Sequence, residues 1–366
     1  RRGVGTLIFA PRSSEGMNDP VETALAAAFP DRSVDGLAGV GPSWNGGNET
    51  VGVDFADGER AYLKVAVEGD GSRIARERAV VEYVAARRPI AVPAVLAAEP
   101  TGEPPYLATA SAPGRDLFAA FEEAETERRE ALLRGVGETL AALHAERFPR
   151  HGEIVGRGAV TGREETTAVG SDTERGTADG PGLDVATASW ADTLLATIER
   201  TREIGTTDRL ARHFDAVIDC VRVNRTLLNE APAALVHGDI AKPNAFVIDG
   251  DGRPTNAEVG LIDWELAHVG DPVRDLVRAR DQLCNGFDTE GPSRLGDAVY
   301  EGYRERADGP RTPRGARRPI YRVVRVLGRS GFLDQWATYL DEPVTALVDR
   351  IDAELDARLE AVPSEA

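Results

Sequence analysis

Two short runs carry residues that could do chemistry together: Leu235-Val236-His237-Gly238-Asp239-Ile240-Ala241-Lys242-Pro243-Asn244 and Gly260-Leu261-Ile262-Asp263-Trp264-Glu265. Each begins apolar and ends polar. The first predicts a strand, a tight loop and a short hairpin, and the second a returning strand with an acidic end. Asp239, Asn244 and Asp263 can then face one small volume. One carboxylate to orient an attacking hydroxyl, plus a neutral and a charged oxygen to ligate magnesium, is what ATP-dependent phosphoryl transfer requires. Asp239 is the candidate catalytic residue, and Asn244 and Asp263 are the candidate metal ligands.

The H-G-D-x-x-x-x-N…I-D-W-E pattern resembles the aminoglycoside phosphotransferase and choline kinase family of protein-kinase-like small-molecule kinases. The likeness runs over residues 34–300 and is strongest over 235–276. It implies a two-lobed α+β fold, with an N-terminal antiparallel five-stranded sheet plus one helix and a larger, mainly helical C-terminal lobe. It implies ATP and Mg2+ as cofactors and a small-molecule hydroxyl as acceptor. His237 would brace the loop rather than react. Backbone groups from Thr109 through Ser111 to Gly114 would form the hinge that reads the adenine edge. Pro113-Gly114-Arg115 and the L-x-x-L-H end at His144 also resemble family segments, and His144 reads as a buried structural histidine. Asp271 and Asp275 match a family run and read as helix-capping and loop-bracing. The pattern departs from protein kinases at Lys242, which stands three residues after Asp239 where they place a lysine two after. Lys242 is nonetheless a candidate for the γ-phosphate.

Two other readings use the same residues. A metal-dependent hydrolase could take His237, Asp239, Asp263, His268 and Asp271 as ligands, but it leaves Lys64 without a role. A non-catalytic nucleotide-binding pseudokinase is opposed by the joint presence of Lys64, Glu77, Asp239, Asn244 and Asp263.

The elements that would position these groups are legible upstream. Lys64 lies in the apolar strand Arg60 to Val67, where a lysine must pair or snorkel. The helix after Ser72 carries a buried stripe at Ile74, Val81 and Val84, and Glu77 shares that stripe. A carboxylate there is costly unless paired, so Glu77 is the expected partner of Lys64. In the resembled fold this pair positions the lysine against the ATP phosphates. Trp44-Asn45-Gly46-Gly47-Asn48 lies between the strands Gly36 to Gly41 and Glu49 to Phe55. Gly46, Gly47 and Asn48 would let backbone N–H groups approach phosphates. Asp57-Gly58 signals a hairpin. Val92 to Ala98 and Pro105 to Ser111 complete the sheet. Asp19 to Phe29, Thr126 to Phe148, Trp190 to Glu203, Arg209 to Leu228, Asp271 to Gln282, Arg294 to Arg304, Arg317 to Leu340 and Pro343 to Leu359 read as helices. The expected organisation is a disordered extension over 1–18, a nucleotide-binding lobe over 19–111, a hinge over 112–115 and a helical lobe over 116–362. Residues 160–186 read as a flexible insertion within that last lobe.

Composition limits the partners. The 366 residues carry a net charge of −18 and a pI near 4.8, which argues against nucleic acid or an anionic membrane as partner. Only Lys64 and Lys242 are lysines, and arginine supplies the other 41 basic residues. Abundant acid with almost no lysine resembles proteins of extreme halophiles, in which salt screens self-repulsion. Cys220 and Cys284 have no metal-type spacing. The opening Arg1-Arg2 with its short apolar patch is interrupted by Pro11, and Met17 reads as the natural start. The expectation is a cytoplasmic protein. Glu265 and acidic residues past 275 would suit a cationic amine acceptor, such as an aminoglycoside, choline or an amino sugar.

Overall fold

The computed structural model describes residues 19–39, 47–158, 182–205, 207–248, 257–287, 289–307 and 315–362. The expected extension over 1–18, Gly46 and most of the 160–186 insertion lie outside these residues. Helix α1 (Asp19–Ala28) precedes an antiparallel sheet of β1 (Val34–Gly39), β2 (Asn48–Phe55), β3 (Arg60–Ala66), β4 (Val95–Glu99) and β5 (Tyr106–Ala110). The order is β1-β2-β3-β5-β4, and α2 (Ser72–Arg87) connects β3 to β4. The β2–β3 register pairs Asn48 with Ala66 and Asp54 with Arg60. Its turn uses Gly58 at φ 87°, as the Asp-Gly signal requires.

Strand alternation sets the direction of Lys64. Leu63 and Val65 are fully buried with Val21, Ala24 and Phe29 on the α1 side of the sheet. Lys64 therefore projects to the other face, toward α2.

The chain continues through β6 (Arg115–Asp116), α3 (Leu117–Glu123), α4 (Thr126–His144), β7 (Gly152–Gly158), β8 (Gly182–Thr187), α5 (Trp190–Ile204), α6 (Asp208–Val223) and α7 (Arg225–Asn229). Then come β9 (Ala234–Val236), β10 (Ala245–Ile248), β11 (Glu258–Leu261), β12 (His268–Gly270), α8 (Pro272–Cys284), α9 (Ser293–Arg306), α10 (Arg317–Arg329), α11 (Leu333–Leu340) and α12 (Val344–Glu360). This is the two-lobed kinase-like fold with a helix-rich second part. One apolar core joins α2 (Val80, Val84) to α4 (Leu133, Leu140), β11 (Leu261) and Trp264. Arg76 of α2 reinforces that junction, donating to the carbonyls of Ile154 (2.8 Å) and Glu265 (2.9 Å). The helix bearing Glu77 is thus anchored to both lobes. No helix among the described residues is long and apolar enough to cross a membrane.

Three local expectations change. The insertion's C-terminal end is a strand: β8 pairs with β7 from Gly152↔Thr187 to Gly158↔Gly182. The helix expected over 209–228 divides at Asn224, whose side-chain amide donates to the Cys220 carbonyl (2.9 Å) and so competes with the helical ladder. The helix expected over 317–340 breaks at Ser330-Gly331, where the Ser330 hydroxyl donates to the Leu327 carbonyl (2.6 Å).

Candidate active site

Three elements converge on Lys64. Its Nζ lies 2.6 Å from Glu77 Oε2 and 2.7 Å from Asp263 Oδ1, with Glu265 Oε2 at 3.6 Å. Glu77 does a second thing: its Oε1 accepts from the Trp264 backbone N–H (3.3 Å). One carboxylate thereby ties the strand lysine to the turn that presents Asp263. Burial alone would lower the Lys64 pKa, but Glu77, Asp263 and Glu265 together outweigh it and hold the ammonium charged. Burial, opposed by Lys64 and aided by Asp263 and Glu265, pushes Glu77 upward. Asp263 sits in the left-handed region at φ 63°, a conformation uncommon outside glycine though less so for aspartate. Among the described residues this strained position adjoins the lysine cluster at the end of β11, and it aims the carboxylate toward β3.

The loop after β9 is braced from beneath. Asp275, fully buried on α8, accepts from the backbone N–H groups of His237 (2.6 Å) and Gly238 (2.9 Å). Burial alone would raise Asp275, yet His144, His237 and the Gly238 N–H keep it well below the usual carboxylate range. Gly238 adopts φ 81°, and a Cβ there would lie 2.3 Å from the Leu266 carbonyl oxygen, so the turn tolerates only glycine. His237 Nε2 donates to the Ile262 carbonyl (3.0 Å) and its Nδ1 accepts from the Asp239 N–H (3.2 Å). Burial lowers its pKa, so it is a neutral brace. Asn244 donates its side-chain amide to the Asp239 carbonyl (2.9 Å). Its own carbonyl accepts from the Ile262 N–H (3.0 Å), which sets Asn244 beside Asp263 across the β10–β11 end.

Asp239 has a partner that sequence reading missed. Arg278 Nη2 makes a close ion pair with Asp239 Oδ1. The signal is present in the spacing: Asp271, Asp275 and Arg278 fall at i, i+4 and i+7, one face of α8, and Asp275 on that face braces the loop that bears Asp239.

The other expected residues are placed as follows. Gly47 is tied to the sheet, its carbonyl accepting from Val67 (3.0 Å) and Glu68 (3.1 Å) N–H groups. Asn48 is buried and donates to Glu265 Oε2 (2.7 Å), joining the glycine-bearing segment to the same cluster. Thr109 lies within β5, paired with Tyr62 and Val95, whereas Ser111 lies past its end and donates to the Arg60 carbonyl (3.0 Å). Lys242 is not brought to the lysine cluster. Its ammonium stands 4.2 Å over the Phe121 ring and 3.8 Å from Glu122, on the α3 side. Glu265, expected to face an amine acceptor, is instead buried, between Lys64, Asn48 and Arg73, which is 3.5 Å away.

The hydrolase ligand set does not assemble. His268 donates from Nδ1 to the Leu266 carbonyl (2.9 Å), and its Nε2 accepts from Arg274 (2.7 Å). Burial and the Arg274 charge pull it down to about 3. The acceptor lone pairs of both His237 and His268 are thus taken. Asp271 caps α8, accepting from the Val273 N–H (3.0 Å), from Arg317 (2.7 Å) and from the Tyr321 hydroxyl (2.6 Å). The acidic groupings that could hold an ion among the described residues are Glu77–Asp263–Glu265 and His213–Asp352–Asp356, and neither contains His237 or His268. His144, buried, bridges Asp275 and the Tyr303 hydroxyl at 3.3 Å each.

Comparison with known proteins follows this geometry. The family model of the phosphotransferase enzyme family (APH) matches residues 43–317. No curated protein sequence matches the chain significantly. Among solved structures, a thermostable mutant of aminoglycoside phosphotransferase APH(4)-Ia, in ternary complex with ADP and hygromycin B, is 18% identical with a TM-score of 0.56, over 93% of this chain and 98% of that one. The GDP and kanamycin complex of APH(2")-IIia is 12% identical with a TM-score of 0.58, over 93% and 98%. Macrolide 2'-phosphotransferase MphH from Brachybacterium faecium is 18% identical with a TM-score of 0.51, over 94% and 99%. At such identities these likenesses establish the fold. With the family model spanning β2 to β5, the braced loop and the Lys64 cluster alike, the chain belongs to the phosphotransferase enzyme family and is a small-molecule kinase acting on hydroxyl groups.

Proposed function

We propose that the protein transfers the γ-phosphoryl group of ATP to a hydroxyl of a small molecule, with magnesium at Asn244 and Asp263. The observation that carries this reading is the contact of one lysine with both Glu77 and Asp263, beside a separately braced Asp239. A purely structural ion pair has no need of the third group. The ADP and GDP in the complexes of APH(4)-Ia and APH(2")-IIia support nucleotide binding by this fold.

The donor set suits magnesium. Asn244 donates its amide N–H to the loop and so turns its carbonyl oxygen away, while Asp263 has one oxygen on Lys64 and the other uncommitted to it. A neutral and a charged oxygen from the protein, completed by phosphate and water, are the ligands a hard cation prefers. When bound, the ion would neutralise charge on the transferring phosphoryl group.

The chain's own residues do the remaining work. Asp239 accepts the hydrogen bond of the acceptor hydroxyl and, late in the reaction, its proton. With a loose transition state its contribution is mainly positional. Lys64, kept charged by Glu77, holds the α- and β-phosphates. The segment bearing Gly47 and Asn48 covers them, with Asn48 fixed to Glu265. Backbone groups of the hinge stretch from Thr109 to Gly114 read the adenine edge. Lys242 is left to packing against α3. The test is magnesium-dependent ADP release with a panel of hydroxyl acceptors. Asp239→Asn should lower transfer by about 10²–10⁴-fold while nucleotide binding persists. Undiminished transfer in that variant would refute the assignment.

A further inference from the structure

Helix α8 holds the Asp239 loop at two levels. Asp271 caps the helix and is itself held by Arg317 (2.7 Å) and the Tyr321 hydroxyl (2.6 Å). One turn on, Asp275 accepts from the backbone N–H groups of His237 and Gly238. One turn further on the same face, Arg278 Nη2 donates to Asp239 Oδ1. The helix thus grips the backbone of the loop with one side chain and the reacting side chain with another.

The backbone of Asp239 is fixed without Arg278. Its N–H donates to His237 Nδ1 (3.2 Å), and its carbonyl accepts from the Asn244 amide (2.9 Å). These bonds leave open the two side-chain torsions, and with them the direction of the carboxylate. Among the described residues, Arg278 makes the only hydrogen bond and the only ion pair to that carboxylate. The two side chains are 23% and 18% exposed, so salt screens this pair less than one at the surface. The arginines of α10 are committed elsewhere, Arg317 to Asp271, and Arg325 and Arg329 to Asp281. Arg278 has no second carboxylate among the described residues, and its buried Nε has no hydrogen-bond partner there. Its polar contact is spent on the catalytic aspartate and not on a structural ion-pair network.

We infer that Arg278 is a positioning residue for phosphoryl transfer: it holds the Asp239 carboxylate by Oδ1 and leaves Oδ2 to the acceptor hydroxyl. This rests on the kinase reading above. In that step the acceptor oxygen bonds to the γ-phosphorus while the bond from phosphorus to the bridging oxygen breaks. ADP leaves with that electron pair, and the acceptor proton passes to Asp239 Oδ2. Arg278 takes part in no bond change. Its guanidinium is planar and permanently charged, so it fixes a carboxylate in one orientation. With a loose transition state, orientation is most of what Asp239 contributes.

The experiment follows ADP release by the full chain from ATP and magnesium. The acceptors are kanamycin, choline and glucosamine or, where none of these turns over, water. Arg278→Ala should lower kcat by about 10–100-fold and leave the KM for ATP within twofold. Arg278→Lys, which keeps the charge without the fork, should lose less, and methylguanidinium added to Arg278→Ala should restore part of the rate. In an Asp239→Asn background, Arg278→Ala should cost nothing further, because no carboxylate remains to be positioned. A merely structural role would instead lower the rate in both backgrounds alike. The nucleotide-driven rise in unfolding midpoint should persist in each variant, showing that it is folded. If the alanine variant does not fold, Arg278→Lys carries the same comparison. An unchanged or higher kcat in the Arg278 variants, a raised KM for ATP with kcat preserved, or an equal loss in the Asp239→Asn background overturns the inference. Absence of ADP release from the wild-type chain with every acceptor, water included, would instead remove the kinase reading beneath it.

Discussion

The ammonium of Lys64 lies 2.7 Å from Asp263, a residue 199 positions further along the chain. That contact joins a strand of the five-stranded sheet to the turn after β11, and Glu77 holds both ends: it binds Lys64 with one oxygen and the Trp264 N–H with the other. The relative position of the two lobes at the site is thereby fixed by charge as well as by the apolar core around α2.

Removing Lys64 leaves Glu77, Asp263 and Glu265 together without their shared cation. Breaking such a buried pair costs about 3–5 kcal/mol. Lys64→Ala should therefore lower stability by that order in denaturant titration and reduce transfer by at least about 100-fold. Transfer within twofold of wild type would remove Lys64 from the phosphate site.

Asp275 and Gly238 should act through the loop rather than by touching substrate. Asp275→Ala removes the acceptor of two backbone N–H groups, leaving buried donors unsatisfied at about 1–3 kcal/mol each. Gly238→Ala adds a Cβ 2.3 Å from the Leu266 carbonyl oxygen. Both should lower kcat more than they raise the KM for ATP, since Lys64 and Asp263 are untouched. An equal change in KM with kcat preserved would show that the loop does not position Asp239.

Acid should destabilise the fold through its buried neutral histidines. His268 titrates at about 3 in the folded chain against 6.5 for the free side chain. The unfolded chain therefore binds the extra proton first. The stability contributed is complete above about pH 6.5 and is lost as pH falls toward 3, at about 1.4 kcal/mol per pH unit. In His268→Asn the slope of unfolding free energy between about pH 7 and pH 5 should fall by roughly one proton's worth. An unchanged slope would show that His268 is not held neutral.

The parts of the site legible in sequence are those carried by local spacing. Asp239 and Asn244 share one loop, Asp263 ends the next strand, and a carboxylate on the buried stripe of α2 has few partners open to it other than a lysine in the adjoining strand. The fold was legible for the same reason, because alternation and helical stripes are local. The missed relationships depend on chain separations that no periodicity encodes. Asn48 meets Glu265 across 217 positions, and Arg278 reaches Asp239 from α8. The β7–β8 hairpin was hidden because Gly182–Thr187 is short and follows a stretch rich in Gly, Thr and acid. The helix breaks at Asn224 and Ser330 turn on single side-chain hydrogen bonds that compete with the ladder.

The central claim is that nucleotide and magnesium bind between Lys64 and the Asn244–Asp263 pair. The most direct measurement is the unfolding midpoint in molar potassium chloride, with and without ATP and magnesium, for wild type and Asp263→Ala. The account predicts a magnesium-dependent rise in wild type, amounting to about 2.7 kcal/mol of stabilisation at a hundredfold excess over Kd, and no magnesium dependence in the variant. An equal magnesium-dependent rise in Asp263→Ala, or no rise with any nucleotide in wild type, would contradict it.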